Sequence, residues 1–80
     1  MTRDDLRKAI FESLAAVAPE ADPTSLAPGD DLREALDIDS MDFLGFVTAL
    51  RDNLGVTVPE SDYPQILTLA GCEEYLASKV

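Results

Sequence analysis

The stretch Leu36-Asp37-Ile38-Asp39-Ser40-Met41-Asp42-Phe43-Leu44 decides how the rest of the chain is read, because an acidic approach turns into an apolar helix at a single serine. Asp39 or Ser40 can cap that helix, and Asp42 falls in its first turn, where the positive end of the helix dipole favours an acid. Phe43, Val47, Leu50 and Leu54 follow at steps of four, three and four along one face, the period of an amphipathic helix. Met41, Leu44 and Phe46 widen the apolar surface beyond one stripe, so part of it is expected within reach of solvent or ligand. Gly55 is a natural C-terminal cap. A serine at a helix start has free backbone amides beside it and sits at the positive dipole end, a setting that tolerates an anionic phosphoester by roughly 0.3 to 1 kcal/mol. Asp39 and Asp42 oppose that charge, so a cation or a basic enzyme surface is needed when phosphate is delivered. The residues suggest an acceptor site rather than a catalyst.

Upstream, Thr2 followed three residues later by Asp5 caps a helix with Leu6, Ile10, Leu14 and Val17 on one face, expected to stop near Ala18 because Pro19 disfavours helical geometry before it. A long first loop follows, with Leu26, Leu32, Leu36 and Ile38 spread along it to pin it to a core, and a turn of helix is expected over Arg33–Leu36. Downstream, Val56, Val58 and Pro59 suggest a short extended connection, and no sheet is expected. Asp62–Ile66 is read as a short third helix with Pro64 in its first turn. A final helix starts near Thr68, with Leu69, Cys72, Leu76 and Val80 on one face and Glu73 and Glu74 outside. The expected architecture is all-α: a small four-helix bundle with a long first loop and a short third helix, one domain over residues 1–80.

Composition narrows the function. Eighty residues, 46% hydrophobic and 28% charged, suit one small folded domain. Sixteen acids against six bases give a net charge of -10, which opposes nucleic acid and anionic lipid as partners and favours proteins with positive surface. The chain has no histidine, which removes the usual partner of a serine nucleophile and the commonest metal ligand, so the protein is not expected to be an enzyme. Hydrolysis with Ser40 as nucleophile is disfavoured further because Lys8 and Lys79 lie far along the chain. An EF-hand starting at Asp37 fails, since its sixth residue is Asp42 and its twelfth Thr48. The single cysteine, Cys72, reads as a small core hydrophobe. With no signal-like N-terminus and no apolar run of membrane-spanning length, a cytoplasmic monomer without membrane insertion is expected.

Asp39-Ser40-Met41 resembles the Asp-Ser-Leu signature of acyl carrier proteins. The likeness covers nearly all of the chain. An opening helix, a long loop with Asp31-Leu32, the signature, a helix ending Ala49-Leu50, then Val58-Pro59-Glu60 and a closing Thr68-Leu69 helix fall in the family's order. The resemblance implies that Ser40, beside Asp39, receives 4'-phosphopantetheine from coenzyme A through a separate phosphopantetheinyl transferase. The arm's terminal thiol would then carry acyl groups as thioesters for fatty-acid, lipid or polyketide-type biosynthesis. It also implies that acyl-transferring and acyl-modifying enzymes with basic docking surfaces read Met41, Asp42 and Leu44. Between Glu20 and Asp62 eleven acids face two arginines, a net charge of -9 around the serine, so docking should weaken with added salt. Three positions depart from the family pattern. Asp37 replaces a common glycine, although Asp tolerates the left-handed conformation such a glycine can supply. Gly45 replaces a common glutamate, at a cost of about 1 kcal/mol in a helix interior, and Thr48 replaces an apolar residue. These departures point to a specialised pathway with its own partners.

Plainer readings stand beside these. Ser40 alone is an ordinary N-cap residue, and Asp39 and Asp42 are capping charges whatever else they do. Met41 and Leu44 are either exposed docking residues or core. Phe43, Phe46 and Ile66 either line an acyl channel between the second and third helices or, as is commoner at helical spacing, simply fill the core. The alternative function is a non-catalytic acidic helical adaptor that binds basic proteins without the prosthetic group.

Overall fold

The computed structural model describes residues 2–80. Its helices are α1 (Arg3–Ala15), α2 (Leu32–Ala35), α3 (Ser40–Leu54) and α4 (Leu69–Ala77), with 3-10 segments at Pro23–Ser25 and Glu60–Ile66. The all-α expectation holds, and the Glu60–Ile66 segment is the short third helix of the sequence reading. The described residues contain no strand, only an isolated antiparallel bridge between Asp31 and Thr68.

Local chemistry sets most boundaries. Thr2 accepts a hydrogen bond from the Asp5 amide at 3.1 Å to open α1, and Thr68 does the same for Gly71 at 3.0 Å to open α4. Gly55 closes α3 in the left-handed conformation, φ 71°, which glycine adopts at no steric cost. α1 ends at Ala15, earlier than the expected Ala18. The Leu14 carbonyl takes both the Val17 and Ala18 amides, at 3.1 and 2.8 Å, so the turn before Pro19 tightens and loses its α-helical pattern. The third helix starts at Glu60, after Pro59 and without a side-chain cap, and not at Asp62; Pro64 therefore lies inside it rather than in its first turn. On this exposed side the missing amide proton leaves its acceptor to water.

α1 packs on both α3 and α4, and the Glu60–Ile66 helix packs on α4. Leu6, Ile10 and Leu14 of α1 meet Phe46 and Leu50 of α3 and Cys72 and Leu76 of α4 in one core. Among these buried residues the polar Ser13 is satisfied: its hydroxyl donates to the Ala9 carbonyl and accepts from Asn53 of α3, both at 2.9 Å. The long loop is pinned as expected, with Leu32 and Ile38 buried and Leu26 and Leu36 half-buried against the core. Backbone bonds reinforce it: Leu32 N donates to the Leu67 carbonyl at 2.7 Å and Ala70 N to the Pro28 carbonyl at 2.9 Å.

Two placements on the last helix need correction. Val80 lies beyond the end of α4 and is exposed. Glu73, expected outside, is buried under Arg7 of α1, whose Nε donates to Oε1 at 2.5 Å and whose terminal nitrogen donates to Oε2 at 3.4 Å. A carboxylate tolerates that depth because the guanidinium meets it in a fork.

Candidate functional site

Ser40 is the first residue of α3 and is exposed. Its placement follows from what flanks it. Asp37 adopts the left-handed conformation, φ 53°, and turns the chain out of α2 toward α3, the conformation the sequence reading allowed for this aspartate. Ile38, buried, anchors the approach, and Phe43, buried, anchors the first turn of the helix. The serine is thus held at the surface between two buried side chains, one two residues before it and one three residues after.

Asp39 is the N-cap and forms a capping box with Asp42. The Asp39 carboxylate accepts from the Asp42 amide at 2.8 Å, and the Asp42 carboxylate accepts from the Asp39 amide at 3.4 Å. Both acids therefore spend an oxygen on the backbone. The amides of Ser40 and Met41, at the first two helical positions, have no intrahelical acceptor. Met41 is 75% and Leu44 46% exposed, so both belong to the surface and not to the core, with Met41, Asp42 and Leu44 on the first turns after the serine.

A cleft of about 370 Å³ opens beside Ser40 between α3 and the Glu60–Ile66 helix, lined by Ser40, Arg33, Phe43, Leu44, Glu60, Tyr63, Pro64 and Leu67. A larger depression of about 440 Å³ lies along α4, lined by Asp62, Gln65 and Lys79 among others, and touches none of the predicted site residues. Phe43 reaches the cleft, whereas Phe46 and Ile66 are fully buried core residues outside its lining. Tyr63, which sequence reasoning missed, stands edge-on to Phe43 with ring centroids 5.5 Å apart. Its segment has no periodicity that would have marked it. Arg33 is a second missed residue; its Nε lies 3.7 Å from Asp31, too far for a hydrogen bond.

Cys72 is fully buried in α4, and burial, with the charge of neighbouring Glu73 adding to it, pushes its thiol up to about 12. It is a core hydrophobe, as expected, and is chemically quiet. No helix among the described residues is long and apolar enough to cross a membrane.

An exposed hydroxyl at the head of a long helix, beside an apolar cleft, in a chain whose own thiol is sealed, suits a group that brings its own reactive end. A family model described as phosphopantetheine attachment site matches residues 8–76. The chain belongs to that family. The match runs from the middle of α1 to the last turn of α4, so it takes in α2, α3 and the cleft. Members of the phosphopantetheine-binding family carry the group covalently. They are in general carriers rather than catalysts and work with a phosphopantetheinyl transferase and with acyl-handling enzymes.

Proposed function

We propose that the chain is an acyl carrier protein of a specialised biosynthetic pathway, of fatty-acid, lipid or polyketide type, with Ser40 as the attachment point. The observation that supports it most is the exposure of Ser40 at the first position of α3 within the lining of the cleft. Bound there, the group supplies a thiol on which acyl units are held as thioesters. The chain's own residues fix the geometry. Ile38 and Phe43 hold the serine outward, and the Asp39–Asp42 box holds the helix start rigid while leaving the first two amides free for phosphate oxygens. Neither acid is placed as a base for the hydroxyl, since both are turned to backbone amides. The transferase then supplies the base and the cation.

Partner enzymes with basic surfaces would dock on Met41, Asp42 and Leu44, where two exposed apolar side chains are set among acids. Charge steers the approach, and the apolar pair supplies contact that survives salt. The test is intact mass after co-expression with a phosphopantetheinyl transferase. The wild type should gain the mass of the arm and Ser40→Ala should not. No gain after efficient treatment, or a gain that survives the substitution, refutes attachment at Ser40. A basic partner that used Ser40→Ala as well as the wild type in a functional assay would favour the adaptor.

A further inference from the structure

Two hollows flank the start of α3, and their charges differ. One, of about 420 Å³, is lined by three acids, Glu20, Asp37 and Asp42, and by no base among the described residues. The other is the cleft of about 370 Å³ that Ser40 itself borders, whose lining holds one base, Arg33, and one acid, Glu60. A negative group on the Ser40 oxygen is repelled by the first hollow and drawn toward the base of the second.

Arg33 has its hydrogen-bonding capacity unspent. Its guanidinium donates to no partner among the described residues; Asp31, 3.7 Å from its Nε, caps α2 by accepting the Arg33 backbone amide at 2.9 Å. Arg7, by contrast, is forked onto Glu73. Arg51, the other base between Glu20 and Asp62, lies eleven residues beyond Ser40 on α3, about 16 Å away at the helical rise. The backbone keeps Arg33 close to the serine: its carbonyl accepts the Ile38 amide at 3.0 Å, and the two residues from Ile38 to Ser40 span at most about 7 Å. A guanidinium carries its donors in a fixed fork that matches phosphate oxygens, and with 46% of the Arg33 side chain exposed that fork is accessible.

We propose that Arg33 binds the phosphodiester at the root of the arm, so that the arm leaves Ser40 on the α2 side, away from Asp37 and Asp42. The inference rests on Ser40 being the attachment point. The test compares the isotope-labelled chain before and after loading by a phosphopantetheinyl transferase. Loading should move the Arg33 Nε–Hε resonance at least about threefold more than those of Arg7 and Arg51, because only Arg33 gains a charge-assisted bond. In the loaded chain Arg33→Gln should shift the phosphorus resonance of the arm, and Arg33→Lys, which keeps the charge without the fork, should restore part of the wild-type position. Arg33 is exposed, so amide spectra of the unloaded variants should match the wild type beyond α2. The wild-type comparison decides alone should a variant escape the transferase. An Arg33 signal that moves no more than those of Arg7 and Arg51, or a phosphorus resonance that is the same in the wild type and Arg33→Gln, overturns the contact. Intact mass separates the two failures: a wild-type chain that never acquires the arm overturns the carrier reading, whereas a chain loaded by mass with Arg33 unmoved overturns this inference alone.

Discussion

Thiol chemistry should count the prosthetic arm directly. Cys72 has no exposed surface and its thiol is pushed up to about 12. At pH 8 about one molecule in 10⁴ then carries the thiolate, whereas an ordinary thiol near 8.5 is about a quarter ionised. Because the thiolate is the nucleophile, ionisation alone slows direct attack by Cys72 about 10³-fold relative to an unhindered thiol. Reaction through global unfolding offers no shortcut: at a stability of about 5 kcal/mol only about two chains in 10⁴ are open at any moment. Ellman's reagent at pH 8 should therefore find no fast thiol on the unloaded chain, one on the loaded chain, and none on Ser40→Ala treated with the transferase. In strong denaturant every form should gain one. Native Cys72 reacting within tenfold of the denatured chain would refute the sealed-thiol argument, and no fast thiol on a chain shown by mass to be loaded would refute the count.

Alkali should unfold the protein by the same linkage. Cys72 is raised by burial, and Tyr75 is raised chiefly by its hydrogen bond to Asp62. A group raised in the folded state stabilises fully below its unfolded value and loses that stability as pH climbs through the folded one, so the thermal midpoint should fall from about pH 9 upward; a midpoint that rises between pH 9 and 11 contradicts it. At Gly45 a methyl group would meet Val17 Cγ1 at 2.8 Å. Gly45→Glu should therefore destabilise despite its better helix propensity and be partly rescued by Val17→Ala, with a coupling of about 0.5 to 3 kcal/mol in urea melts; strict additivity refutes the contact. Asp39→Ala removes the α3 cap and should cost about 1 kcal/mol in the same melts. Met41→Ala, at an exposed site, should change stability by no more than about 0.5 kcal/mol yet weaken binding of a basic partner about fivefold or more; unchanged affinity argues against docking there.

The boundaries that one side chain settles with its own backbone were legible from the residues alone. Thr2, Asp39, Gly55 and Thr68 cap where their chemistry says, and Asp37 takes the left-handed turn. The place of Ser40 at the helix start was legible too, because a polar start before an apolar run is a local pattern, whereas Met41 and Leu44 stayed open between surface and core until the structure exposed both. Contacts between distant segments were not. Glu73 has a surface residue's identity, and the Arg7 that covers it lies 66 positions away. Gly45 showed only its propensity cost until Val17 was seen against it. Tyr63 needed Phe43 opposite before it meant anything, and only the packing decided between core and channel for Phe46, which is fully buried.

The paired backbone bonds from Leu32 to Leu67 and from Ala70 to Pro28 make residues 28–32 and 67–70 a single structural clasp, although they stand far apart in the chain. Anyone transplanting the long loop or the last helix into a related scaffold to change its cargo would have to move both halves together. Exchanging one alone would leave unmatched amides and carbonyls at the rear rim of the cavity, and a chimera built that way should fail for reasons unrelated to the serine.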